Sequence, residues 1–247
     1  MKQLYGLLGR ALSHSYSKEY FENKFRELKL HEHEYRNYEL ETIQGFATLI
    51  EAEPALRGLN VTYPYKEAVI DYLDALGSEA REIGAVNCIK IENGRTTGYN
   101  TDVYGFRQSI KPFLDRHHER ALILGTGGGA KAVAHVLAQF GIGIIYVSSD
   151  PAKKGAGIIL YNEVNEHVMN ACKLVVNCTP LGMFPETDRF PDLPYQHFSP
   201  EHLAYDLVYN PEETKFMSKA RAQGSAVVNG LSMLQLQAEK SWEIWNR

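Results

Sequence analysis

Apolar residues recur along this chain with two different periods, and the switches between them mark out its elements. LYGLLG, residues 4–9, is an apolar run of strand length, and SKEYFENKFRELKL, residues 17–30, spaces its apolar residues as a helix does. YRNYEL predicts a second strand, TIQGFATLIEA a second helix and LRGLNVTY a third strand. KEAVIDYLDAL predicts a further helix. AVNCIKIENGRTTGYN predicts a hairpin turning at Asn93-Gly94, a pair that accepts the left-handed backbone of a two-residue turn.

From Asp102 the pattern changes. GFRQSIKPFLDRHH predicts a linker helix bent near Pro112, and RALILGTGGGAKAVAHVLAQFG gives strand, glycine turn and helix in quick succession. IGIIYVSS, KLVVNCTP, HLAYDLVYN and SAVVNG supply four more strands. Strands rich in Ile and Val that alternate with helices imply parallel βαβ units covered on both faces. The stretch DPAKKGAGIILYNEVNEHVMNA is irregular and leaves room for only a short helix. SMLQLQAEKSWEIWNR is a long amphipathic helix able to pack back on the first domain. The expectation is an α/β chain of two domains, residues 1–101 completed by 231–247, and residues 102–230 as a doubly wound parallel sheet.

Composition narrows the function classes. The 247 residues are 44% hydrophobic and 23% charged, enough for one or two proper cores. A formal net charge of -4 gives no basic surface for nucleic acid. No apolar run approaches the ~20 residues of a membrane span, and MKQLYGLLGR lacks the features of a signal peptide. Three cysteines without CxxC spacing suit reduced thiols in a cytoplasmic protein. The nine histidines show no ligand spacing, so no metal is expected.

The chemistry begins at ALILGTGGGAKAV. Gly125-x-Gly127-x-x-Ala130 follows an apolar strand and opens a helix, the context a dinucleotide fingerprint requires. Gly125 permits the tight turn, and Gly127 lets backbone approach a pyrophosphate. Ala130 lets helix and strand pack closely, and the free N–H groups of the helix start face the phosphates. A plain tight turn is the alternative. The ribose should meet the end of the next strand, at YVSSDPAKK. There Asp150 is placed to bind a 2′-hydroxyl, as for NAD, or simply to cap a turn. Lys153 and Lys154, with Ser148 and Ser149, are placed to meet a 2′-phosphate, as for NADP.

Eight segments in order, among them LLGRALSHSYSKEYFENKF, GLNVTYPYKEAV, GYNTDVYGF, VVNCTPLGM, AYDLVYNPEETKF and NGLSMLQLQA, together resemble the shikimate dehydrogenase family over nearly the whole chain. The resemblance implies an N-terminal substrate-binding domain, a Rossmann domain and a C-terminal helix returning to the first. It implies nicotinamide-dependent reduction of 3-dehydroshikimate to shikimate, on the way to chorismate and the aromatic amino acids. Lys66 matches the family's catalytic lysine and Asp102 its aspartate partner. Hydride transfer to a ketone builds negative charge on oxygen and calls for a proton, and an ammonium group meets both needs. Ser15 and Ser17 match the carboxylate-binding serines, and Thr62 and Asn87 the hydroxyl-binding positions. Tyr209 and Gln237 match further substrate contacts. Gly125, Thr126, Gly127, Gly128 and Gly129 match the pyrophosphate loop. Asn177, Cys178 and Thr179 fall in a loop beyond a strand end, and Leu207 and Gly230 match positions near the nicotinamide.

One segment departs from the family. Where its members carry Asn or Ser, then Arg, then Thr, this chain has Ser148-Ser149-Asp150. NADP is the expected cofactor from the resemblance, with NAD the alternative because Ser149 stands in place of the arginine beside the acidic Asp150. A quinate/shikimate dehydrogenase with NAD preference is the second enzymatic reading, and Ser15-Tyr16-Ser17 leans toward shikimate. A non-catalytic ligand sensor is the third, and the presence of both Lys66 and Asp102 speaks against it. The partner expected is a small-molecule substrate, with no nucleic acid or membrane, in a monomer or homodimer.

Overall fold

Strand β1, Gln3–Gly9, sends Leu4 and Leu8 to one face of a sheet and Tyr5 and Leu7 to the other, so the chain that follows must cover both. A computed structural model describes residues 2–12 and 15–247. Ser13 and His14, the first two residues of the SHSYS stretch, lie outside them. The described chain divides into two compact units. One runs up to Thr101 and takes in Ala238–Arg247, and the other is Asp102–Gln237.

In the first unit helix α1, Tyr16–Glu27, leads to β2, His33–Glu39, and α2, Phe46–Ala52, to β3, Leu56–Val61. Helix α3, Tyr65–Ala68, precedes β4, Ala75–Leu76, and α4, Ser78–Ile83, precedes the hairpin strands β5, Cys88–Glu92, and β6, Arg95–Tyr99. The sheet order is β2-β1-β3-β5-β6-β4. β1 pairs in parallel with β2 and β3, and β5 is antiparallel to β3 and β6. Asn93 and Gly94 turn the hairpin with φ of 53° and 77°, as their types allow.

One face of this sheet buries Leu4, Leu8, Phe46, Leu59, Val61 and Val69. The other buries Tyr5, Phe21, Phe25 and Tyr35 against Trp245. Trp245 belongs to α9, Leu231–Trp245, whose last turns are thus core residues of the first unit. Its indole donates to Ile89 O at 3.0 Å, and a Cβ at Gly58 would run into that indole, so β3 needs glycine there.

KEAVIDYLDAL does not form the single helix its pattern predicts. After α3 comes a 3-10 turn, Val69–Tyr72, and then the short strand β4. Asp74 is the reason. Its carboxylate accepts from Thr96 N at 2.7 Å and Thr96 Oγ1 at 2.9 Å, and its own N–H donates to Thr96 Oγ1 at 3.1 Å. These bonds draw the segment onto β6.

The second unit opens with α5, Asp102–Ile110, followed by the 3-10 turn Lys111–Phe113 where the bend at Pro112 is expected. Six parallel strands follow: β7, Arg120–Leu124; β8, Gly143–Ser148; β9, Ile158–Leu160; β10, Leu174–Asn177; β11, Leu203–Asp206; β12, Ala226–Val228. Helices α6, Gly128–Gln139, α7, Glu166–Ala171, and α8, Lys215–Arg221, connect them. The order β12-β11-β10-β7-β8-β9 reverses direction beside β7, the switch point at which open α/β sheets bind ligands. β9 and the six-residue α7 both come from the stretch whose pattern is irregular.

Candidate active site

Thr62, Lys66 and Asn87 are held together by backbone. Thr62 N donates to Leu8 O at 2.9 Å, and Tyr65 N to Thr62 O at 2.9 Å, closing the turn into α3 that carries Lys66. Val86 N donates to Lys66 O at 2.7 Å, and Val61 N to Asn87 O at 2.8 Å. The Lys66 turn is therefore fastened to the residue before Asn87, and the Lys66 side chain is half-buried. The Tyr65 hydroxyl donates to Leu40 O at 2.6 Å and anchors the same turn from beneath.

Ser15 stands at the N-cap of α1, yet its side chain makes no capping bond there. Glu39 accepts from Leu12 N at 2.7 Å and Asn37 donates to Leu12 O at 3.0 Å, a carbonyl that also accepts from Ser15 N at 3.1 Å. Ser17 is partly buried in the first turn of α1. Asn87 is engaged with Thr101: its Oδ1 accepts from Thr101 N at 2.6 Å and its Nδ2 donates to Thr101 Oγ1 at 3.0 Å. Sequence reasoning passed over Thr101, although it stands beside Asp102 in NTD.

In the second unit Asp102 is buried at the start of α5. That helix is seated by Phe106, packed edge-on to Tyr205 at 5.1 Å, and by Ser109, whose hydroxyl is 2.7 Å from that of Tyr205. One turn after Asp102, a Cβ at Gly105 would lie 2.6 Å from Met233 O and 3.1 Å from Gln237 Cβ. Glycine thus lets α5 touch α9, and it brings Gln237 near the start of α5. Gln237 Nε2 donates to Leu234 O at 2.9 Å. Tyr209 is partly buried in the segment after β11.

The expected nucleotide residues converge. Gly125 has φ +103°, a conformation open to glycine, and a Cβ there would meet Thr179 Cγ2 at 3.3 Å. A Cβ at Gly129 would meet Leu207 at 3.5 Å, and one at Gly230 would collide with Leu207 O. The glycine loop, Thr179, Leu207 and Gly230 therefore line one end of the sheet. Gly127 caps α6 with no side chain over its first N–H groups, and a Cβ there would meet nothing within 4 Å. Such a bare helix start, with backbone donors and positive dipole exposed, fits a pyrophosphate.

At the strand end expected to meet the ribose, the side chains take separate partners. Asp150 accepts from Ala152 N at 3.0 Å and so caps the turn Pro151–Lys153. Ser148 Oγ accepts from Asp150 N at 3.0 Å, and Ser149 is exposed. Lys154 pairs with Glu163 at 2.6 Å. Lys153 reaches the glycine loop, its Nζ donating to Thr126 Oγ1 at 3.1 Å. The cation beside the loop is thus Lys153.

Behind this wall sits a carboxylate that the sequence does not distinguish from a turn acid. Asp206 accepts from Asn177 Nδ2 at 2.9 Å, Val208 N at 3.0 Å and Thr214 Oγ1 at 2.6 Å, and is 0% exposed. Asn177 Oδ1 in turn accepts from Thr179 N at 3.1 Å and Thr179 Oγ1 at 2.6 Å. Burial pushes the Asp206 carboxyl up to about 6, against the downward pull of its three hydrogen bonds. Among the described residues no group of three His, Cys, Asp or Glu is placed to hold a metal, and no helix is long and apolar enough to cross a membrane.

Residues 7–89 match the family model of the shikimate dehydrogenase substrate binding domain. The chain is 36% identical to the shikimate dehydrogenase (NADP(+)) of Desulforamulus reducens, over 98% of this chain and 89% of that one. Shikimate dehydrogenase 1 from Peptoclostridium difficile superposes with a TM-score of 0.88 at 34% identity, over 99% of this chain and 92% of that one. Shikimate 5-dehydrogenase from Thermus thermophilus, solved in complex with NADP(H) and shikimate, does so with a TM-score of 0.85 at 32% identity, over 98% and 93%. Two α/β units, a fingerprint loop at a switch point and near full-length likeness lead to one assignment: the chain belongs to the shikimate dehydrogenase family.

Proposed function

We propose that this chain catalyses the reversible, NADP-dependent reduction of 3-dehydroshikimate to shikimate. One observation carries the reading: the full-length likeness to NADP-dependent shikimate dehydrogenases coincides with a nucleotide wall whose parts fit the cofactor. The bare start of α6 suits the pyrophosphate, and Lys153 at the glycine loop supplies the cation that the missing arginine would have given. Asp150, occupied in capping its own turn, is not the ribose ligand in this reading. The cofactor would supply the redox chemistry, its reduced form giving the hydride to the ketone and its oxidised form taking one from the alcohol.

The chain's own residues do the rest. Lys66, as an ammonium, donates the proton to the developing alkoxide, and in reverse its neutral amine accepts the proton of the alcohol. In this reading Asp102, which matches the family's aspartate partner, serves the same proton transfer. Ser15 and Ser17 take the substrate carboxylate, Thr62 and Asn87 its ring hydroxyls, and Tyr209 and Gln237 make further substrate contacts. A small polyhydroxylated acid demands such short neutral groups, since each buried ligand oxygen needs a partner. The setting this reading implies is the cytoplasm, with the chain a monomer or homodimer, which light scattering decides.

The test is shikimate oxidation followed by reduced-nicotinamide absorbance, with NADP and NAD in parallel and quinate as the competing substrate. Turnover with NADP and shikimate is expected. A preference for NAD would return Asp150 to the ribose, a preference for quinate would move the chain to the quinate branch, and no turnover with any pair would overturn the reading.

A further inference from the structure

A chain of buried polar groups runs through the first unit behind the residues read as substrate contacts. The Tyr35 hydroxyl donates to Asn60 Oδ1 at 2.9 Å. Asn60 Nδ2 donates to Ser241 Oγ at 2.8 Å, and Ser241 Oγ lies 3.1 Å from Thr101 Oγ1. Thr101 then bonds to Asn87 through both its N–H and its hydroxyl. Tyr35, Asn60, Thr101 and Ser241 are all buried, Ser241 completely. Ser241 stands at the middle of this chain and on a different element from every other member.

We propose that Ser241 is a positioning residue for the substrate pocket, its hydroxyl joining Asn60 to Thr101 so that helix α9 sets Asn87. The inference rests on the reading of Asn87 as a substrate contact. The helix does not need Ser241 to stay docked. Trp245 lies 5.0 Å from Tyr5 and 5.3 Å from Phe21, Trp242 lies 5.6 Å from Tyr5 and 5.5 Å from Phe25, and the indole bond to Ile89 holds the end. Aromatic burial fastens the helix, whereas the hydroxyl orients what lies beside it. A hydroxyl suits the junction because it accepts from the Asn60 amide while its rotatable proton adapts to Thr101. Asn60 would otherwise keep only a weak 3.4 Å contact to Asn87 O for its buried amide.

The test is a steady-state and calorimetric comparison of the whole enzyme with Ser241→Ala, Tyr35→Phe and Ile244→Val. Ser241→Ala should raise the KM and Kd for shikimate about five- to tenfold, the size of one lost neutral hydrogen bond, with KM for NADP unchanged and kcat within about twofold. Tyr35→Phe should repeat that selective rise. Ile244→Val trims a buried contact on the same helix and should lower Tm while leaving shikimate KM alone. A Ser241→Ala enzyme whose shikimate KM stays within twofold of the parent, or whose KM values for both substrates rise together, overturns the inference while the function stands. A parent enzyme that neither oxidises nor binds shikimate overturns both.

Discussion

The polar chain of the first unit, from Tyr35 through Asn60 and Ser241 to Asn87, consists wholly of hydroxyls and amides, whereas the network of the second unit converges on Asp206, a carboxylate as completely buried as Ser241 and bonded to three neutral donors. Both networks tie together segments far apart in sequence. They differ in what pH does to them. Hydroxyls and amides keep their donors and acceptors at any ordinary pH. Asp206 does not, because burial disfavours its charged form. The substrate side is thus held by a frame indifferent to protons, and the nucleotide side by one that answers to them.

The largest expected effect tests the assignment of chemistry to the first unit. Lys66→Ala should lower kcat by about 10²- to 10⁴-fold, the usual worth of a positioned general acid. Shikimate binding should stay within a few-fold by calorimetry, and near-parental turnover in a folded variant would remove Lys66 from the reaction. Next in size is Trp245→Ala, expected to cost about 3–5 kcal/mol in chemical denaturation. That loss should fall on the unit built around Tyr5 and Phe21, so hydrogen exchange should rise in β1 before β7.

Asp206→Asn sharpens the comparison itself. The folded carboxyl titrates at about 6, above the ordinary value near 3.9, so the native state holds its proton more tightly than the unfolded chain. The resulting stability is fully present below pH ~4 and is lost as pH rises through about 6, a change of about 3 kcal/mol. His118 and His202 act with the opposite sign. Burial lowers both, so their contribution is lost as pH falls. The difference between parent and Asp206→Asn, followed by denaturant midpoints from pH 4 to 7, cancels the histidines and isolates the carboxylate. A difference flat across that range would show that Asp206 titrates normally. Smallest is Lys153→Ala, which should raise KM for NADP about tenfold and leave KM for NAD unchanged, one unit charge facing a phosphate being worth about 1–2 kcal/mol. An equal change for both cofactors would mean that Lys153 merely shapes the loop.

The parallel strands of the second unit and the Asn93-Gly94 hairpin were legible because each rests on a local signal: runs of Ile and Val, or a dipeptide suited to positive φ. The end of KEAVIDYLDAL misled because Asp74 and Thr96, twenty-two residues apart, bond to each other in both directions and override the local helical spacing. β9 is three residues long and leaves no periodicity to detect. At the site, the glycine loop could be read from residues alone, whereas Lys66 and Asp102 emerged only from likeness to a family. Asp206, Thr101 and Ser241 carried no signal. Asp206 looks like a turn acid in DLVYNP, and no spacing rule links Asn60 to a serine 181 residues later.

Helix α9 also fixes an order of events. Its residues from Ala238 on complete a unit whose other residues end at Thr101, and the whole of Asp102–Gln237 lies between. During synthesis at about 5–20 residues per second, the face of Tyr5, Phe21 and Phe25 waits several seconds or more for Trp242 and Trp245. The nucleotide half has by then left the ribosome and can fold on its own contacts. The half that meets the substrate is begun first and finished last, and in the interval its aromatic surface lacks the indoles that later cover it.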